Sequence, residues 1–220
     1  MVTQSKPVRA RPAAPIYQLE IVLAESKPRI WRRVQVPGSA SLGWLHAVIQ
    51  VAMGWTNSHL HQFLIGGQTC SDPSFELNAF EDDPEVLDEN RVVLMKVAPN
   101  EGDVLMYEYD FGDSWHHRVT VEKILPLDAA SAKAARCVDG ARACPPEDCG
   151  GLPGYADLLK ILKNTKHKEH KSMKEWLGRP FDPEAFDVEW VNGWLRRLKW
   201  PRVTVGQLAK VLMARDGYDG

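Results

Sequence analysis

The sequence predicts an α+β fold: a largely antiparallel sheet, an early helix packed on it, and a helical C-terminal half. Three observations carry this. Runs at 17–23, 30–36 and 104–122 alternate apolar and polar residues with the two-residue period of a half-buried strand. Between the second and third, Leu45, Val48, Ile49, Ala52 and Met53 recur at helical spacing. Beyond residue 150 the strand period disappears and helical stripes replace it.

In chain order, residues 1–15 carry Lys6, Arg9 and Arg11 without an acid, together with prolines and alanines, and are expected to form a disordered basic arm. A single domain is expected over 16–200, with a C-terminal helix and tail over 201–220. In the first strand Tyr17, Leu19, Ile21 and Leu23 share a face. In the second Ile30, Arg32, Val34 and Val36 do, before Pro37-Gly38 ends it. Ser39 or Ser41 caps the early helix and Gly54 stops it. Ser58 to Ile65 reads as a strand, with His59, His61, Phe63 and Ile65 on one surface. Two imidazoles placed so can bind a metal or can sit half-buried in hydrogen bonds. The acidic run 76–89 reads as a solvated loop, with a hard-cation loop as the rarer alternative. Arg91 to Ala98 is ambiguous between helix and strand.

The centre of the chain is Tyr107 to His117, two strand-forming runs joined by Phe-Gly-Asp-Ser. Leu105, Tyr107 and Tyr109 face one way on the first run, and Trp115, His117, Val119 and Val121 on the second. His116 should therefore be exposed and His117 turned inward, while Gly112 permits the turn. An alanine-rich connection leads to a Pro- and Gly-rich loop containing Cys137, Cys144 and Cys149, which excludes a regular helix there. Tyr155, Leu158, Leu159 and Leu162 then form a helical stripe. Trp176, Trp190, Trp194 and Leu198 continue the apolar pattern, and Thr204 to Met213 reads as a last helix with Leu208 and Leu212 inward.

A net charge of −2 argues against a general nucleic-acid coat, though not against a local basic patch. No apolar run approaches the roughly 20 residues that span a bilayer, and Met1 to Pro15 lack the apolar centre of a signal peptide. A cytoplasmic location is expected, where the four cysteines stay reduced. There is no Walker A loop, dinucleotide fingerprint or HExxH, and so no nucleotide-cofactor motif.

Three stretches are distinctive: Ser58-His59-Leu60-His61-Gln62-Phe63, then Tyr109-Asp110-Phe111-Gly112-Asp113-Ser114-Trp115-His116-His117, and Cys144-Pro-Pro-Glu-Asp-Cys-Gly-Gly-Leu-Pro-Gly-Tyr155. On these the sequence resembles the plasmid pRiA4b ORF-3-like family, also described as insertion-element passenger proteins under the label TnpR. The resemblance covers roughly residues 16–198. It implies an α+β domain found on plasmids, mobile elements and bacterial chromosomes, without an established activity. The TnpR label would imply a serine resolvase, but Ser5, the earliest serine, lies in the expected disordered arm, and the first unit is not a repeated βαβ.

Three chemistries compete. Cys137, Cys144 and Cys149, with His117 from the hairpin, would hold a structural zinc, although of the gaps of six and four residues the first departs from the usual Cys-x₂₋₄-Cys pair. Asp110, Asp113 and His116, with Glu147 and Asp148, would serve acid–base chemistry or bind a divalent ion in a hydrolase-like site. Arg32, Arg33, Lys163, Lys166 and Lys171 would contact nucleic-acid phosphates, and exposed tryptophans would equally suit a protein partner. The first reading taken is a cytosolic accessory or interaction protein of the plasmid or mobile-element type, with nucleic acid or a protein as candidate partner, and the second is a zinc-stabilised or metal-dependent hydrolase-like protein.

Overall fold

The computed structural model describes residues 14–78, 84–127 and 133–216. Most of the basic arm, part of the acidic run, part of the alanine-rich connection and the Gly-Tyr-Asp-Gly end lie outside them. The framework of the described residues is one eight-stranded sheet: β1 (Ile16–Leu23), β2 (Trp31–Pro37), β3 (His61–Ile65), β4 (Gln68–Ser71), β5 (Val86–Asp88), β6 (Val104–Tyr109), β7 (Trp115–Leu125) and β8 (Arg136–Ala141), in the order β5-β4-β3-β6-β7-β1-β2-β8. Every pairing is antiparallel except β4 with β5 at one edge. Among the described residues, six α-helices complete the α+β fold: α1 (Leu42–Met53), α2 (Leu94–Val97), α3 (Gly151–Lys163), α4 (His170–Leu177), α5 (Val188–Leu195) and α6 (Val205–Arg215).

The alternation of the sequence becomes the two faces of this sheet. Leu19, Ile21, Val34, Leu105, Tyr107, Tyr109, Trp115, His117, Val119 and Val121 are all fully buried on one side. His116 is exposed on the other. Against the buried side lies α1, begun by the Ser41 hydroxyl accepting from Trp44 N at 3.2 Å and ended by Gly54 at φ 105°. Nearly every α1 residue is buried because a second layer covers its far side. Trp44 Nε1 donates to Lys199 O at 3.0 Å, and the rings of Trp44 and Trp200 meet edge to face at 5.0 Å.

Segment 91–98 resolves into the single turn α2, and the strand expected from Ser58 begins only at His61. The start of the cysteine loop is a strand, β8, paired with β2. Its outer edge is closed by α5: the Asn192 carboxamide bonds both Cys137 N and Cys137 O at 2.8 Å. The Thr204 capping box starts α6, with Leu208 and Leu212 buried as expected.

Candidate functional site

Three loops meet at one end of the central hairpin: residues 54–60 after α1, the turn 110–114 between β6 and β7, and residues 144–150 before α3. The hairpin turn is shaped by Asp110 and Ser114, both in the left-handed region at φ 59° and 52°, and not by Gly112. Asp110 Oδ1 accepts from Gly112 N at 2.9 Å, and a Cβ at residue 112 would crowd that same oxygen at 3.2 Å. Glycine there makes room for a carboxylate. The turn docks on the cysteine loop, where Gly150 N donates to Asp113 Oδ2 at 3.2 Å. At Gly151, with φ 65°, a Cβ would approach Asp113 O to 2.7 Å, so a side chain there would push the two loops apart.

This docking brings three donors together. His59 Nε2 lies 3.3 Å from Asp148 Oδ1 and 3.6 Å from Asp110 Oδ2. That nitrogen is buried and makes no aligned hydrogen bond. Donor atoms of His59, Asp110 and Asp148 all lie within 4.8 Å of one another, the one such group of three His, Cys, Asp or Glu among the described residues. Asp110 is buried while Asp148 is exposed, so the group has a protein side and a solvent side. His59 and Asp110 line a cleft of about 770 Å³, whose other walls come from Phe75, Asn90 and the Arg202–Leu208 segment.

The cleft floor is a buried polar network. Gln50 Nε2 donates to Tyr107 Oη at 3.0 Å, so the Tyr107 hydroxyl proton is directed to His46 Nδ1, 2.9 Å away. His46 Nε2–H then donates to Asn57 Oδ1 at 2.7 Å. Burial keeps the His46 imidazole neutral, lowering its pKa to about 3. The His61 ring stacks on His46 at 3.4 Å and bonds Glu89 Oε2 through Nε2 at 2.9 Å. Burial raises the Glu89 pKa to about 7. The two imidazoles expected on one surface both line the cleft but take different partners: His59 joins the carboxylate group, and His61 bonds Glu89.

The other sequence candidates take different places. Glu147 accepts from Thr56 N and Tyr109 Oη instead of facing the cleft. His116 is exposed, 4.0 Å from Glu108. His117 is fully buried, packed on the rings of Trp55 and Tyr107, with its pKa lowered by burial to about 3. The sulfurs of Cys137, Cys144 and Cys149 do not gather with His117 into a donor group. Cys137 is buried against Asp139 O, and burial pushes its thiol up to about 11 and that of Cys149 to about 12.

Arg32, expected on a phosphate-contacting face, is instead 2% exposed. It donates to Ala52 O, Trp31 O and Ala141 O and stacks on Phe186, because its strand parity points it into the core. Arg33 faces outward but is held by Glu20, Glu122 and Asp139. Lys163, Lys166 and Lys171 are exposed around the α3–α4 turn, Lys171 with Glu175 at 3.6 Å. Sequence reasoning missed His46 and the role of Thr56, which nothing in their local pattern marks, and it placed Glu89 in a solvated acidic loop, whereas Glu89 is 3% exposed and bonded to His61.

Fold and loop geometry define a small α+β domain whose distinctive chemistry lies at the loop end of its central hairpin. The chain belongs to the plasmid pRiA4b ORF-3-like family, whose profile matches residues 15–190. An uncharacterised protein of Sinorhizobium fredii, y4hQ, is 34% identical over 193 residues, covering 86% of this chain and 96% of its own. The crystal structure of MM3350, a protein of unknown function from Methanosarcina mazei, matches with a TM-score of 0.70 and 35% identity. That match covers 80% of this chain and 97% of the other. Among the described residues, no helix is long and apolar enough to cross a membrane.

Proposed function

We propose that the chain is a metal-binding, hydrolase-like protein holding a divalent cation between His59, Asp110 and Asp148. The observation that carries this is the convergence of the three. Each comes from a different one of the three stretches on which the family resemblance rests, and His59 Nε2 faces two carboxylates with no aligned hydrogen bond. One imidazole with two carboxylates suits Mn²⁺ or Zn²⁺, and three protein ligands leave positions open for water and substrate. Bound there, the cation would acidify a water or polarise an oxygen of a substrate in the adjoining cleft. This reading moves the metal from the cysteine loop to the hairpin end and leaves the four free thiols to a reducing cytoplasm. Its test is Mn²⁺ titration of the tag-free protein by calorimetry. One site per chain that disappears in His59→Ala supports it, and an unchanged titration in that variant removes it.

A second reading, nucleic-acid association in a plasmid or mobile-element setting, is supported by the exposure of Lys163, Lys166 and Lys171. Arg32 and Arg33 do not join it, being buried and ion-paired respectively.

A further inference from the structure

Each of the three donors has a sequence neighbour in a single hydrogen-bond network. Ser58 precedes His59, Tyr109 precedes Asp110, and Glu147 precedes Asp148. Ser58 N donates to Tyr109 Oη at 3.0 Å, and Tyr109 Oη donates to Glu147 Oε1 at 2.5 Å. Glu147 Oε1 also accepts from Thr56 N at 3.0 Å, and Oε2 from the Thr56 hydroxyl. The 54–60 loop is further tied to the cysteine loop by Trp55 Nε1 donating to Pro145 O at 3.1 Å. The network therefore joins the three backbones one residue away from each donor.

The structure assigns Tyr109 and Glu147 as positioning residues that set the spacing of His59, Asp110 and Asp148. This rests on the cation site proposed above. Separate loops have no backbone reason to keep donor atoms within 4.8 Å. Asp148 is exposed and reaches His59 from a residue at φ 59°. An aspartate tolerates the left-handed region, and the flanking Glu147 bonds fix the loop that presents it. Glu147 is thereby explained without a catalytic role: its carboxylate is filled by Thr56 and Tyr109, while its neighbour carries the free oxygen. Tyr109 likewise uses its ring as a wall, 4.9 Å from Trp55, and its hydroxyl as the central joint.

The experiment measures full-length wild type, Tyr109→Phe and Glu147→Gln in parallel. It follows Mn²⁺ affinity by the electron-paramagnetic-resonance signal of free Mn²⁺, the visible absorption of Co²⁺ as a report of ligand geometry, and the metal-free melting curve. Outer partners of metal ligands typically change affinity by 10–100-fold, and a loss of about that size is expected here. A changed Co²⁺ spectrum should accompany it in variants that still melt cooperatively without metal. If wild type binds Mn²⁺ and both variants bind within about twofold of it with the same Co²⁺ spectrum, the network is merely structural and the assignment fails, while the cation site stands. If wild type binds neither Mn²⁺ nor Co²⁺, the site itself fails and the assignment falls with it.

Discussion

Arg32 separates a structural role from a nucleic-acid role more sharply than any other basic residue. Replacing it with Met keeps most of the aliphatic volume against Phe186 but removes the bonds to Ala52 O at 2.7 Å, Trp31 O at 2.8 Å and Ala141 O at 3.0 Å. Bonds from charged donors contribute roughly 1.5–3 kcal/mol each. The three together are opposed by several kcal/mol for holding a guanidinium out of water, leaving a net loss of about 3 kcal/mol. With a urea slope of about 2–3 kcal/mol/M for a chain of this size, the unfolding midpoint should fall by about 1 M. The assay is equilibrium urea unfolding followed by tryptophan fluorescence, beside a DNA-binding titration of the same variant under native conditions. A midpoint that hardly moves, together with weakened DNA binding, would refute the buried anchor and restore Arg32 to a phosphate-contacting face.

The buried histidines predict acid sensitivity. His117 has its pKa lowered to about 3 against about 6.5 in an unfolded chain, so the unfolded state binds the extra proton between those values. Its contribution is fully present above about pH 6.5 and falls by roughly 1.4 kcal/mol per pH unit as pH drops toward 3; His117→Phe should flatten a stability–pH profile by that slope. Asn192→Ala strands Cys137 N and O at the edge of β8 and should cost about 2–4 kcal/mol in urea unfolding. An unaffected midpoint would mean that water replaces the carboxamide. If Lys163, Lys166 and Lys171 contact duplex phosphates, changing all three to Ala should reduce the log–log salt slope of DNA binding by about 3; no binding by wild type would end that reading. Cys144→Ser should leave metal content unchanged, as elemental mass spectrometry will show.

What the sequence disclosed was set by local period. Alternation in β6 and β7 placed Tyr107, Tyr109 and His117 inside and His116 outside, Gly54 marked the end of α1 while its cap stayed open between Ser39 and Ser41, and the stripe from Thr204 marked α6. The same parity put Arg32 on the inner face beside Val34, and that was the stronger signal than its charge. Strand β8 was hidden because its Gly140 and the prolines beyond it mask any period, and partners distant in sequence hold it: β2 on one side and Asn192 on the other. The candidate site was legible only in fragments. Asp110 and Asp148 stood out, but their meeting with His59 depends on contacts such as Thr56 with Glu147, 91 residues apart, and Gly150 with Asp113, 37 residues apart. No local pattern encodes such a meeting. His59 and His61 do line one cleft, as their shared parity suggested, but the two rings take different partners there, which parity does not encode.

The most direct test of the cation site is metal stoichiometry in wild type and Asp110→Asn. Asparagine tolerates the left-handed backbone at 110 and can still accept from Gly112 N, so only the charged oxygen facing His59 is lost. Both proteins would be loaded with Mn²⁺, freed of excess metal and measured by elemental mass spectrometry. About one Mn²⁺ per wild-type chain and almost none in the variant is the predicted result. Equal metal in both, or none in wild type, would contradict it.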